Sequence, residues 1–181
     1  MIVRSLSRMV SALLLALCTL AVAAPAQAEV QVHFHSINGS MFGGRYPHAF
    51  VVFEGTLSNG TEVKQNYGFS ARYTSQVIAR GPAEHLIQTE TDRTVANTNR
   101  HFTVTVSDQT YRRLLATVLA WRDYPGRYYN LDENNCIHFV AALARVAGLQ
   151  ADVPEEYVHQ PKDWLNYIAR TNPQLDAREI P

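Results

Sequence analysis

The sequence predicts an α+β domain in which an antiparallel sheet comes first and helices pack on it afterwards. Strand-like alternation dominates up to about Val106, and apolar repeats of helical period dominate beyond it. The turn Ser58-Asn59-Gly60-Thr61, set between two apolar runs, marks a hairpin and hence an antiparallel pair.

Residues 1–28 are expected to be a secretory signal peptide standing outside this fold. Arg4 and Arg8 form its basic region, Val10 to Ala24 its apolar run, and Ala26-Gln27-Ala28 its small-x-small cleavage pattern. The run is shorter than the ~20 residues a membrane-spanning helix needs. Cys18 follows Leu17, where a lipid-attachment site wants a small residue. The expectation is an exported protein, periplasmic or secreted, with no stable membrane anchor. It would start at Glu29 and form one domain over 29–181.

From Glu29 to Ser36, Val30, Val32 and Phe34 alternate with Gln31, His33 and His35, as in a half-buried strand. Ile37 to Pro47 reads as a Gly-rich loop. His48 to Gly55 is an apolar strand and Thr61 to Phe69 its hairpin partner. A two-residue Asn59-Gly60 turn pairs residues whose numbers sum to 119, which sets Asn66 opposite Phe53. Ala71 to Thr98 is ambiguous, with a short helix near Tyr73 to Ala79 and a strand near His85 to Thr89 as readings. His101 to Val106 is a β-branched alternating strand. Ser107-Asp108 caps a helix to about Asp123, with Tyr111, Leu114, Leu115, Val118 and Trp121 on one face. A second helix runs from Cys136 to Gly148, and a third from Lys162 to Arg170 behind Pro161. Asn172 to Pro181 is expected to be loose.

Charge excludes more than it suggests. Without the two leader arginines, 14 Lys and Arg face 16 Asp and Glu, a formal −2. No basic block exists to hold nucleic acid or anionic lipid. His33-x-His35 could present two imidazoles to a metal, but no third ligand stands at convincing spacing. A solvated strand face is the expectation there, with no metal and no cofactor. The pairs Asp132-Glu133 and Glu155-Glu156 read as solvated charges. Trp121 and Tyr128-Tyr129 suit a substrate groove or a core equally well.

With the leader removed, Cys136 is the one cysteine left, so no intrachain disulfide is possible. Polar capping residues stand before it and an apolar helical repeat follows. A helix N-terminus presents unpaired N–H groups and a positive dipole end, and both favour a thiolate. Cys136 is therefore a candidate nucleophile. A nucleophilic thiol needs an imidazole within hydrogen-bond reach. His138 lies two residues along the same helix and does not face Cys136, so a structural hydrogen bond is expected of it. His48 opens the most apolar strand just after the Gly-rich loop, at a sheet rim from which it can face a docked helix end.

Asn135-Cys136-x-His138-Phe139-Val140 resembles the Asn-Cys-Glu-His-Phe-Val signature of the lecithin retinol acyltransferase-like family, and Tyr129-x-Leu131-x-x-Asn134 before it is similar too. The same core occurs in the PPPDE peptidases. Both belong to the circularly permuted papain-like group, related to NlpC-type cell-wall hydrolases, in which the histidine strand precedes the cysteine helix. Here Tyr46-Pro47-His48-Ala49-Phe50-Val51-Val52 precedes Cys136, with 88 residues from His48 to the cysteine. The resemblance implies a permuted papain-like domain with Cys136 as nucleophile and His48 as base. For the third member, Asn66 would parallel the asparagine of papain-like sites. With the Asn59-Gly60 register, strand alternation turns Asn66 away from His48 and puts Gln65 and Tyr67 on the near face, whereas an odd loop or a bulge restores Asn66. Asn66 is the first expectation, followed by Gln65 and Tyr67.

Ile137 replaces the family's glutamate and the second histidine is missing, which argues against phospholipid or retinoid acyl transfer. The first expectation is a periplasmic cysteine hydrolase that cuts an amide, such as a peptidoglycan stem peptide bond. The second is an acyltransferase or thioesterase acting on a lipid ester. The third is a non-enzymatic envelope protein in which Cys136 only packs. The expected partner is a cell-envelope substrate, and the expected state a monomer.

Overall fold

The computed structural model describes residues 29–39, 46–73 and 82–181. The expected leader, most of the Gly-rich loop and nearly all of the helix expected near 73–79 lie outside the described residues.

The fold is α+β. Strands β1 (Glu29–Ile37), β2 (His48–Thr56), β3 (Glu62–Ala71), β4 (His85–Gln88) and β5 (Asn99–Ser107) form one antiparallel sheet in the order β4-β3-β2-β1-β5. Four α-helices lie among the described residues: α1 (Asp92–Val95), α2 (Asp108–Arg122), α3 (Cys136–Val146) and α4 (Pro161–Thr171). α2, α3 and α4 pack on one face of the sheet. That face carries Val30, Val32 and Phe34 of β1, Ala49, Val51 and Phe53 of β2, and Phe69 of β3, all buried against Leu114, Phe139, Val140, Leu143, Trp164 and Ile168. The opposite face has a small second cluster of Ile37, Phe50 and Val52, with Val95 of α1 packed on it.

The helices start where their caps are. Ser107 accepts from Thr110 N–H at the head of α2. Asn135 caps α3, and Pro161 opens α4, where a missing N–H costs no helical bond. Of the expected α2 stripe, Tyr111, Leu114 and Val118 are buried, while Leu115 and Trp121 are partly so.

Three expectations are corrected. His33 and His35 do not face solvent: they are 3% and 5% exposed. β1 is hydrogen-bonded on both edges, and its far face is covered as well, so its polar side chains find partners inside. His33 Nδ1 lies 2.8 Å from Thr103 Oγ1, with Nε2 3.3 Å from the Glu54 carboxylate, and His35 Nδ1 lies 2.8 Å from Thr98 Oγ1. The β2–β3 hairpin closes through five residues, Leu57 to Thr61, so Phe50 pairs with Gly68 and Val52 with Asn66. This register, one step from the expected one, puts Asn66 on the face of Phe50 and His48. Finally, the C-terminal segment is tied down. Asn172 is 1% exposed and donates to the carbonyls of Gln150 and Ile168, while Asn166 exchanges two hydrogen bonds with the Ile180 backbone.

Candidate functional site

Cys136 is the first residue of α3, and the local sequence puts it there. Asn135 takes an extended backbone and accepts from Ile137 N–H at 2.8 Å and His138 N–H at 3.3 Å, while the His138 ring turns back on Asn135 to complete a capping box. His138 thus has the structural role its position in the helix predicts. Asn135 also reaches outward, because its amide nitrogen donates to the carbonyls of both Leu131 and Val158. The two loops that flank the cysteine are therefore held by the residue before it.

Three backbone N–H groups, of Ala49, Ile137 and Cys136 itself, favour the anionic sulfur. Burial outweighs them. With the residue only 6% exposed, desolvation pushes the thiol up to about 11, so Cys136 rests protonated at neutral pH. The expectation of a thiolate favoured by the helix start is corrected on this point: apolar surroundings on the inner face of α3 prevail over the dipole.

A cavity of about 510 Å³ opens at this end of the sheet. Cys136, Asn135, Ile137, Tyr129, Leu131, Val158 and His159 line its helix side. His48, Ile37, Gln88 and Glu90 line it from the sheet. Tyr46 and Leu131, 59% and 43% exposed, contribute apolar surface at its edge.

The structure brings Cys136 and His48 to one cavity but not face to face. The His48 ring lies parallel to that of Phe50, 6.4 Å between centroids, and covers Gly68 so closely that a methyl group there would run into Nε2. Phe50 and Gly68 belong to the face opposite the helices. Ala49, the next residue of β2, is the one that turns toward α3 and sends its N–H to the sulfur. Bringing His48 Nε2 to Sγ requires the first residue of β2 to turn its side chain to the other face.

Asn66 shares the face of His48, not that of Cys136, and its amide is fully engaged by the Glu90 backbone: Glu90 N–H donates to Oδ1 at 2.6 Å and Nδ2 donates to the Glu90 carbonyl at 2.9 Å. It therefore fixes the segment that carries Glu90, whose carboxylate accepts from Gln88 at 2.6 Å. Gln65 and Tyr67 stand on the helix face, where Gln65 accepts from the hydroxyls of both Tyr67 and Tyr111. Neither lines the cavity.

Sequence reasoning did not single out His159. It sits just before α4, 53% exposed in its side chain, with Nε2 3.1 Å from Asp132 Oδ1. Asp132 belongs to the turn closed by the Asn130–Asn134 bridge, and its N–H donates to Asn130 Oδ1. The available signal was a lone histidine preceding the proline that starts the next helix, in a chain whose later helices all pack on one side.

Among the described residues no group of side chains is arranged to hold a metal ion, and no helix is long and apolar enough to cross a membrane.

No family model matches the chain, and no curated protein matches it either. Among solved structures, the type VI secretion system effector TseH aligns over 75% of this chain and 88% of that one, at 15% identity and a TM-score of 0.43. A likeness this distant carries no argument about activity.

Proposed function

We propose that this chain is an exported cysteine hydrolase of permuted papain-like type that cuts an amide bond in the cell envelope, such as a peptide bond of peptidoglycan, with Cys136 as its nucleophile. The observation that carries the proposal is the position of the sulfur. It stands at the first residue of α3, on a cavity large enough for a substrate segment, with three backbone N–H groups directed to it. In this reading an imidazole of the cavity removes the thiol proton, the sulfur attacks the carbonyl carbon, and the amine leaves with a proton. Water then releases the acid from the thioester. The family resemblance points to His48 for this imidazole, but its ring lies over Gly68 on the face of Phe50, away from the helices. Asn66 supports the site by fixing the Glu90 wall.

One observation favours a second reading. A thiol this buried and this reluctant to ionise is also what a packing cysteine looks like. The two readings separate in one experiment. The purified protein and its Cys136→Ala variant are incubated with peptidoglycan and, in parallel, with phospholipid vesicles, and products are identified by mass spectrometry. New amine and acid termini from peptidoglycan, absent with Cys136→Ala, are the expected result. Released fatty acid would move the chemistry to esters. No product from either substrate, with a thiol that reacts only after unfolding, would leave Cys136 as a packing residue.

A further inference from the structure

Resting on the cysteine-hydrolase reading, we propose that the imidazole serving Cys136 is His159, oriented by Asp132, and not His48. His48 and Cys136 reach the cavity from opposite faces of the sheet. His48 stacks with Phe50 over Gly68 on the face away from the helices, whereas Cys136 packs on the helix face. His159 lines the cavity from the helix side, together with Cys136, Asn135 and Val158.

The attachment of its loop supports the assignment. The Asn135 amide nitrogen donates to Leu131 and Val158 carbonyls, which immediately precede Asp132 and His159. One side chain, adjacent to the nucleophile, thereby holds both the imidazole and its carboxylate beside the start of α3. His159 Nε2 is 3.1 Å from Asp132 Oδ1, so the N–H of that nitrogen is directed to the carboxylate and Nδ1 keeps the lone pair. This is the arrangement in which a carboxylate fixes the tautomer and stabilises the imidazolium that forms.

The step balances within these groups. Nδ1 takes the proton from Sγ, and the sulfur electron pair forms the bond to the carbonyl carbon. As the tetrahedral adduct collapses, the C–N bond breaks and the amine nitrogen recovers the proton from His159. Hydrolysis of the thioester by water, with His159 again as base, restores the thiol. His159 and Asp132 are both exposed, 53% and 77% in their side chains, so replacing them leaves the core intact.

The test follows alkylation of Cys136 by iodoacetamide across neutral and alkaline pH in the wild type, His159→Ala, Asp132→Asn and His48→Ala, with thermal melting as the folding control. In the wild type the thiol is expected to react at neutral pH because His159 takes its proton. His159→Ala is expected to slow this by about tenfold or more and to defer the rise in rate to strongly alkaline pH, with an unchanged melting temperature. Asp132→Asn is expected to slow it less, and His48→Ala to stay within about twofold of wild type. A His159→Ala protein with the wild-type rate and profile overturns the assignment while the hydrolase reading stands. A wild-type thiol that stays silent until unfolding overturns both, and it does so before any variant is made.

Discussion

Ala49, and not His48, is the residue of β2 that meets Cys136: its backbone N–H is directed to the sulfur, while the imidazole one position earlier lies on the other face of the sheet. Alternation along a strand makes this an either-or arrangement, because neighbouring side chains cannot share a face. In the resting protein, burial raises the thiol and the backbone amides of Ala49, Ile137 and Cys136 oppose it.

Burial of this thiol should appear in alkaline stability. The folded state holds Cys136 up to about 11 against a usual value of 9.0, so the folded form prefers the protonated group. Its contribution is complete below pH 9 and is lost as pH rises toward 11, by about 2–3 kcal/mol. Urea midpoints measured at pH 8 and at higher pH should fall in the wild type and fall less in Cys136→Ala. An equal decline in both would show that the sulfur is not the cause.

The acid limb has a different origin. Desolvation lowers His101 to about 4 and is also the main cause of lowering His35 to about 3. Both are therefore neutral when folded and take up a proton more readily when unfolded. Stability is complete above 6.5, their ordinary value, and declines as pH falls toward those lower values. By pH 5 each should have cost about 2 kcal/mol. Denaturation at pH 7 and pH 5 checks this, and His101→Gln should remove about half of the difference.

Asn135→Ala should be among the more damaging polar substitutions. It removes the cap of α3 and both ties to the flanking loops, for an expected loss of about 2–4 kcal/mol in urea unfolding. Asn135→Asp keeps the capping acceptor and loses the two donations, so it should fall between wild type and alanine.

Asn66→Ala should lower stability by about 1–2 kcal/mol through its two lost bonds to the Glu90 backbone. A variant of unchanged stability but abolished hydrolysis would instead place Asn66 among the reacting groups.

The sequence was most legible where pattern and function of an element coincide. β1, β2, β3, α2, α3 and α4 all announce themselves by period and cap, and Cys136 lies at the helix start that Asn135 predicts. Local pattern does not carry what depends on neighbours. The polar face of β1 reads as solvated, and Gln31 is exposed, but nothing in His33 or His35 tells that their neighbours on β2 and β5 will enclose them. Asn59-Gly60 suggests a two-residue turn, yet Leu57 and Thr61 pair across a longer one, and that single step changes the face of Asn66. α1 is only four residues long, too short for any periodicity to register. His159 is linked to Cys136 only through the third dimension, by an asparagine that looks from the sequence like a cap and nothing more.

The last residues matter beyond their own position. Asn166 Oδ1 accepts from Ile180 N–H at 3.1 Å and stands 3.0 Å from His101 Nδ1, and because the Asn166 nitrogen is committed to the Ile180 carbonyl, the His101 proton resides on Nδ1. Nε2 is then the acceptor for the buried Ser36 hydroxyl, 2.9 Å away. A carboxypeptidase that trimmed just Ile180 and Pro181 would release Asn166 to rotate and unsettle the buried His101 tautomer and its bond to Ser36 on β1. The tail thus works as a latch, and a fusion partner or affinity handle attached there pulls on the β5 edge of the sheet.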